Sequence, residues 1–104
     1  VHVETSGTEK YSGEFDWICL SPKRFKKPLE EYYDMANELK VIVYQESDFR
    51  WAERISSKIK KDAVRILQPE WSVEKRINPK ILSYIKLNPN WRISLQTHKY
   101  LKVD

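Results

Sequence analysis

The chain has 104 residues, of which 40% are apolar and 33% are charged, and its formal net charge is +4. This length suits one domain with a modest core, and no apolar run approaches the roughly 18–20 residues that a membrane-spanning helix needs. The single cysteine excludes an internal disulfide and a metal site built from several cysteines of this chain. These features favour a globular, cytoplasmic protein. The start, VHVETSG, alternates like a strand and has no initiator Met, which predicts a piece that begins inside a fold.

Two short strands and a helix are predicted in the first third of the chain. Residues 1–5 alternate, residues 16–20 are rich in side chains that favour a buried sheet, and two glycines bound the loop between them. Pro28 suits the first turn of a helix, where its missing N–H is not needed. The apolar positions of this helix recur every three to four residues, at Leu29, Tyr32, Tyr33, Ala36 and Leu39.

The middle of the chain predicts a strand, a helix and another strand. Residues 39–44, LKVIVY, form a continuous apolar run, which is typical of a strand buried on both faces. Ser47 or Asp48 is expected to cap the next helix. The apolar face of that helix comprises Trp51, Ala52, Ile55 and Ile59, and residues 63–67, AVRIL, predict the fourth strand.

A third helix is predicted within 73–87 and a fifth strand from Trp91. Asn78-Pro79 is expected to restart or kink this helix, because the residue before proline avoids helical angles. Its inward residues are predicted to be Ile77, Ile81, Leu82 and Ile85. Strands that alternate with helices predict an α/β fold with about five mostly parallel strands and three helices. The relative direction of the first two strands stays open, because about ten residues are short for a parallel crossover.

Polar residues follow every predicted strand. In parallel α/β sheets, ligands bind at the carboxyl ends of the strands, so these residues are expected to share one edge. Polar residues are ordinary in loops, but the five groups together favour a polar ligand site. The groups are residues 4–7, 21–23, 45–47, 68–71 and 96–99. Trp71, in one of these loops, either packs structurally or covers a planar ligand.

Other candidate residues have simpler interpretations. The run Lys23-Arg24-Phe25-Lys26-Lys27 is a solvated face, a small-ligand contact through its first residue, or a nucleic-acid patch. Cys19, between Ile18 and Leu20, is predicted to be a buried small apolar residue. His2 alternates within its strand and is more probable as a structural than as a catalytic residue. The sequence has no Gly-rich phosphate loop and no metal-ligand spacing.

Four segments carry a resemblance to a known family: VETSGT (3–8), DWICLSPK (16–23), LQPEWS (67–72) and NWRISLQTHKYL (90–101). Together they resemble the C-terminal half of 7-carboxy-7-deazaguanine synthase, a radical S-adenosylmethionine enzyme of queuosine biosynthesis. The resemblance implies that residues 1–104 are half of a partial (β/α) barrel, without its N-terminal cluster-binding half. It also implies conversion of 6-carboxy-5,6,7,8-tetrahydropterin to 7-carboxy-7-deazaguanine with S-adenosylmethionine, a [4Fe–4S] cluster and Mg²⁺.

The resemblance also assigns residues. Those implied for S-adenosylmethionine are Glu4, Ser21, Pro22, Lys23, Gln68, Pro69, Glu70 and Trp71, and those implied for the pterin are His98 and Asp104. The family's cluster depends on a three-cysteine motif that these residues do not contain, so the chain alone is expected to be inactive. Self-association or contact with the other half is expected, with no nucleic-acid or membrane partner. A glycyl-radical activating enzyme fragment and a non-enzymatic α/β binding module remain alternatives.

Overall fold

The computed structural model describes residues 2–8 and 17–94, which form a five-stranded sheet and three helices. The strands are β1 (His2–Thr5), β2 (Trp17–Leu20), β3 (Glu38–Val43), β4 (Val64–Pro69) and β5 (Trp91–Ile93). The helices are α1 (Glu31–Met35), α2 (Ser47–Ser56) and α3 (Glu74–Leu87), the last preceded by a 3₁₀ turn, Trp71–Val73. No helix in the described ranges is long and apolar enough to cross a membrane.

The strands pair in chain order, β1-β2-β3-β4-β5, and every pair is parallel. The predicted fold class is therefore confirmed. The first two strands, whose relative direction the sequence left open, are parallel as well, with His2 opposite Trp17. Parallel pairing in chain order brings the carboxyl ends of all five strands to one edge, as it does in (β/α) barrels.

The core lies on one face of the sheet, where one cluster of buried residues includes side chains of all three helices. In β3, Leu39, Val41 and Val43 are fully buried on this helix-covered face. On the opposite face, Lys40 is mostly but not fully buried, and Ile42 is 41% exposed. The prediction that residues 39–44 are buried on both faces is therefore wrong. No described element covers the other face of β3, which we call the inner face.

Helix α1 is shorter than its apolar spacing predicts, and Leu39 belongs to β3 rather than to this helix. The backbone turns extended at Ala36 (φ −68°, ψ 127°). The Oδ1 atom of Asn37 then accepts a hydrogen bond from the Ile18 N–H at 2.8 Å. The Asn37 N–H donates to the Ile18 carbonyl, and its carbonyl accepts from the Val64 N–H. These bonds to two neighbouring strands end the helix early.

Two predictions concern α2. The apolar face of α2 is confirmed within the helix, because Ala52 and Ile55 are buried and Trp51 packs against the core. Ile59 is buried too but lies beyond the helix end. Neither Ser47 nor Asp48 caps this helix: both lie inside it, and Glu46 occupies the cap position without a side-chain bond.

In α3, the assigned helix continues through Pro79 without restarting. Ile77 and Ile81 are fully buried as predicted, and Ile85 packs against the core. Leu82 is 50% exposed, so its predicted inward orientation is wrong. It follows Ile81 by one residue, and successive helical residues point about 100° apart.

Candidate functional site

The inner face carries a polar network across β1, β2 and β3. Glu4 pairs in register with Cys19, and Cys19 with Glu38. Lys40 Nζ donates a hydrogen bond to Glu4 Oε1 at 2.8 Å, spanning the width of β2. Trp17 Nε1 donates to Glu38 Oε1 at 2.9 Å. The parallel register and the two-residue alternation of strands place these five side chains on the same face.

A cavity of about 550 Å³ opens on this network, lined in part by Glu4, Trp17, Cys19 and Glu38. Its size lies in the range of small-molecule sites, roughly 300–1,000 Å³. The side chain of Glu4 is 54% exposed, and that of Lys40 is 17% exposed. The carboxylate of Glu4 therefore keeps lone pairs available for a ligand while Lys40 fixes its orientation.

Cys19 is buried, as predicted, but its thiol lies in the polar network rather than among apolar groups. Its Sγ donates a hydrogen bond to Glu38 Oε2 at 3.4 Å. Burial, the charge of the Glu38 carboxylate and this hydrogen bond together raise the pKa of Cys19 to about 12. The thiol therefore stays protonated near neutral pH, which suits a structural role rather than a metal ligand or nucleophile.

The loops after β2 and β3 converge at the carboxyl edge of the sheet. The Ser21 N–H donates to the Thr5 carbonyl at 2.7 Å, which ties the end of β2 to the end of β1. Pro22 is buried and Lys23 is exposed. Both line a cleft of about 420 Å³ with residues at the end of β3, including Tyr44 and Gln45. Two of the five predicted polar loops are thus brought together at one cleft.

Asp48 organises this edge of the sheet, a role that the sequence did not reveal. Its side chain is buried, and Oδ2 accepts hydrogen bonds from the N–H groups of Tyr44 at 2.8 Å and Gln45 at 3.1 Å. Its Oδ1 accepts from Arg24, with which it forms an ion pair. One carboxylate therefore links the loop after β2 to the loop after β3.

The predicted residues around the end of β4 divide between the two faces of the sheet. Gln68 and Pro69 are the last residues of the strand rather than a loop after it. Gln68 pairs with Ile42, which places it on the inner face, whereas Pro69 pairs with Val43 and is fully buried with the core. Of these residues, Gln68 is the one placed to face an inner-face ligand.

The next two residues form the turn that leads to α3. The Glu70 N–H donates to the Val43 carbonyl at 2.8 Å. The Glu70 carboxylate accepts from the Ser72 N–H at 3.2 Å and from the Ser72 hydroxyl, so it caps the 3₁₀ turn. Trp71 is 50% exposed, and it lines a shallow pocket together with the first residues of α3. His98 and Asp104 lie outside the described residues.

The sequence missed the other members of the inner-face network. Lys40 lies within the apolar run at 39–44 and Glu38 directly precedes this run, while the pattern around Trp17 indicates only a strand. A charged residue at every second position of a strand is a signal that one face is polar. That signal is present at residues 38 and 40.

Comparisons with known proteins identify the relatives of the chain. No protein-family model matches it. The chain is 50% identical over 103 residues to the 7-carboxy-7-deazaguanine synthase of Flavobacterium psychrophilum, a match that covers 99% of the chain and 49% of that protein. The corresponding identity with the enzyme of Synechocystis is 52%, with the same coverage. The resemblance to 7-carboxy-7-deazaguanine synthases is confirmed.

A solved structure gives the same result for the fold. A crystal structure of QueE from Escherichia coli matches 91% of this chain with a TM-score of 0.76 and 26% identity, and the match covers 44% of that chain. The chain spans about half the length of the curated 7-carboxy-7-deazaguanine synthases that it matches. Its five parallel strands and three helices therefore resemble part of that fold.

Proposed function

We propose that residues 1–104 are the C-terminal half of a radical S-adenosylmethionine enzyme, a cytoplasmic lyase of queuosine biosynthesis. The reaction would convert 6-carboxy-5,6,7,8-tetrahydropterin to 7-carboxy-7-deazaguanine. The observation that carries the proposal is identity of 50% and 52% to two 7-carboxy-7-deazaguanine synthases over 99% of the chain. The cleft at the carboxyl edge supports it, because (β/α) folds hold their ligands at this end.

S-adenosylmethionine would be held by residues at the inner face and the carboxyl edge. Glu4 offers a half-exposed carboxylate that can accept hydrogen bonds from two ribose hydroxyls. Gln68 lies on the same face, and Ser21 to Lys23 lie at the carboxyl edge. Two carboxylates, Glu4 and Glu38, line the cavity, and this charge suits a cationic sulfonium. When bound, S-adenosylmethionine supplies the radical that starts the reaction.

The described residues do not fit the other groups that the family uses. The only thiol, that of Cys19, is buried, bonded to Glu38 and held protonated by its raised pKa, so it is unsuited to an iron–sulfur cluster. Among the described residues, no group of three or more His, Cys, Asp or Glu side chains is placed to hold a metal ion. We propose that the ligands of the cluster and of Mg²⁺ come from outside the described residues.

Turnover by the full-length protein tests this function directly. A cluster-loaded sample should convert the carboxytetrahydropterin to 7-carboxy-7-deazaguanine in the presence of S-adenosylmethionine. If no deazaguanine forms while S-adenosylmethionine is still cleaved, the glycyl-radical activating enzyme becomes the better assignment. If S-adenosylmethionine neither binds nor reacts, a non-enzymatic binding module is the better assignment.

Two substitutions separate the ligand contact from the ion pair on the inner face. Glu4→Gln should weaken S-adenosylmethionine binding about tenfold, because the amide accepts hydrogen bonds less strongly than a carboxylate. Lys40→Met removes the partner of Glu4 but leaves its carboxylate, so it should weaken binding less. Equal losses in the two variants would assign the effect to the ion pair rather than to a contact by Glu4.

A further inference from the structure

A second cleft adjoins the cleft at the carboxyl edge and extends over the helix-covered side of the sheet. Its volume is about 460 Å³, and it is lined by the loop of residues 23–28 and by residues of α1 and α2, such as Tyr33 and Ile55. We call it the outer cleft. Four residues line both clefts: Lys23, Arg24, Phe25 and Trp51.

The charge of the outer cleft is strongly positive. Five cationic side chains line it, and no carboxylate is among its described lining residues; the cations are Lys23, Arg24, Lys27, Arg54 and Lys58. Of these, Arg24 is paired with Asp48. The other cations form no ion pair with any described residue. Like charges gathered at one cleft repel one another, so an anionic ligand would relieve their repulsion.

Aromatic rings form the rest of the binding surface. The Arg24 guanidinium lies 5.8 Å from the ring centroid of Trp51, and Lys58 Nζ lies 5.7 Å from that of Tyr33. These cation–π contacts hold two of the charges in fixed positions. Phe25 is 94% exposed within the lining, so its ring is available for stacking. The hydroxyl of Tyr33 is buried and makes no hydrogen bond within the described residues.

The geometry points to a binding site for a nucleoside polyphosphate in the outer cleft. Its volume suits a small molecule, lysine and arginine bind phosphate oxygens, and an exposed aromatic ring stacks on any base. The cations come from both a loop and α2 and surround one concave surface, which fits a compact polyanion better than an extended nucleic-acid strand. The site unites cations of the basic run at 23–27 with Arg54 of α2 and with Lys58, which follows this helix.

Calorimetric titration of the full-length protein with ATP, adenosine and inorganic tripolyphosphate tests this site. ATP should bind most tightly, since it offers both the phosphates and the base. Arg54→Glu/Lys58→Glu should weaken ATP binding by about tenfold or more, which corresponds to at least about 1.4 kcal/mol. Phe25→Ala should weaken the binding of ATP but not that of tripolyphosphate.

The matched control is Lys61→Glu/Lys86→Glu, which changes the net charge equally at exposed positions outside the cleft lining. It should change ATP affinity by less than about threefold, because exposed charges at a distance are screened by salt. If the charge-reversal variant does not fold, Arg54→Gln/Lys58→Gln should still weaken ATP binding in the same direction.

Three results would overturn the proposal. The first is that ATP does not bind at millimolar concentration in low salt. This result overturns the proposal also when a short RNA binds instead. The second is an equal loss in the control variant, which would indicate a general charge effect. The third is ATP binding that Arg54→Glu/Lys58→Glu leaves unchanged, which would place the nucleotide outside the outer cleft. ATP binding that is weakened in Arg54→Glu/Lys58→Glu but kept in the control variant supports the outer cleft whether or not the proposed enzymatic function holds.

Discussion

The buried carboxylate of Asp48 is paired with Arg24, although 24 residues separate them in the chain. The same carboxylate accepts hydrogen bonds from two consecutive backbone N–H groups, those of Tyr44 and Gln45. A carboxylate with this many donors is well compensated for its burial. The pair thereby sets the relative position of the loops that form the cleft at the carboxyl edge.

Replacing Asp48 with alanine should destabilise the chain by about 2–3 kcal/mol, because two part-buried backbone N–H groups lose a charged acceptor. The loss of the ion pair itself adds little, since the Arg24 side chain is one-third exposed.

Chemical denaturation measures the free energy of unfolding. Asp62→Ala, at an exposed position, serves as the control and should change it by less than about 0.5 kcal/mol. Equal effects of the two substitutions would show that Asp48 does not stabilise these loops.

Most of the fold was predictable from local patterns, because β-strand and helix periodicities reflect burial on one face. The errors arose where a distant contact decides the outcome. Leu39 continued the apolar spacing of α1, but Asn37 bonds to β2 and β4 and ends the helix before it. The apolar run at 39–44 suggested two buried faces, whereas Ile42 is exposed on the inner face.

The candidate site was predicted only in part. The rule that ligands lie at the carboxyl ends of parallel strands correctly brought Pro22 and Lys23 together with the end of β3. It missed Lys40 and Glu38, because their approach to Glu4 and Cys19 depends on the register between strands. Register follows from tertiary packing, which no single segment encodes.

Gly7 should be intolerant of any side chain. Its φ of +77° is in the left-handed region, and a Cβ there would lie 2.7 Å from Leu20 Cδ1 and 3.0 Å from Pro28 Cβ. Gly7→Ala should therefore lower the free energy of unfolding by about 2–3 kcal/mol, from backbone strain and overpacking. Ser6→Ala, which removes one contact to Thr8, should cost less than about 1 kcal/mol. A smaller loss for Gly7→Ala than for Ser6→Ala would contradict this account.

The raised pKa of Cys19 predicts a loss of stability in alkali. The thiol has an ordinary pKa of 9.0 when unfolded and about 12 in the folded chain. Between these values the folded state binds more protons than the unfolded state, so the free energy of unfolding falls as pH rises. The slope from this group is at most about 1.4 kcal/mol per pH unit, and the stability is fully present below pH 9.0.

Urea denaturation at several pH values between 9 and 12 measures this effect. Cys19→Ala should reduce the slope over that range, because the variant lacks the titrating thiol. Tyr33 and Tyr84, whose pKa values are also raised, chiefly by burial, should leave a residual slope above pH 10. An unchanged slope in Cys19→Ala would show that the thiol does not titrate differently in the two states.

The uncovered inner face predicts that the 104-residue chain associates with itself when expressed alone. Ile42, on the inner face of β3, is 41% exposed, and Tyr44, which follows the strand, is 49% exposed. Exposed apolar patches and strand edges promote association. Light scattering after size-exclusion chromatography should show a mass that rises with concentration. Ile42→Lys should reduce this association, whereas Leu87→Lys, at a more exposed position on α3, should reduce it less. A concentration-independent monomer would contradict the prediction.

Lys23 distinguishes a ligand contact from a solvated surface within the basic run. It lines both the cleft at the carboxyl edge and the outer cleft, whereas Lys26, three residues later, is exposed and lines neither. In the full-length protein, Lys23→Ala should weaken S-adenosylmethionine binding by about fivefold to tenfold, because it removes a charge-assisted hydrogen bond. Lys26→Ala changes the net charge equally and should leave the affinity within about twofold, because exposed distant charges are screened. Equilibrium dialysis with labelled S-adenosylmethionine measures the affinity of both variants. An unchanged affinity in Lys23→Ala would show that this lysine is a solvated surface residue and not a ligand contact.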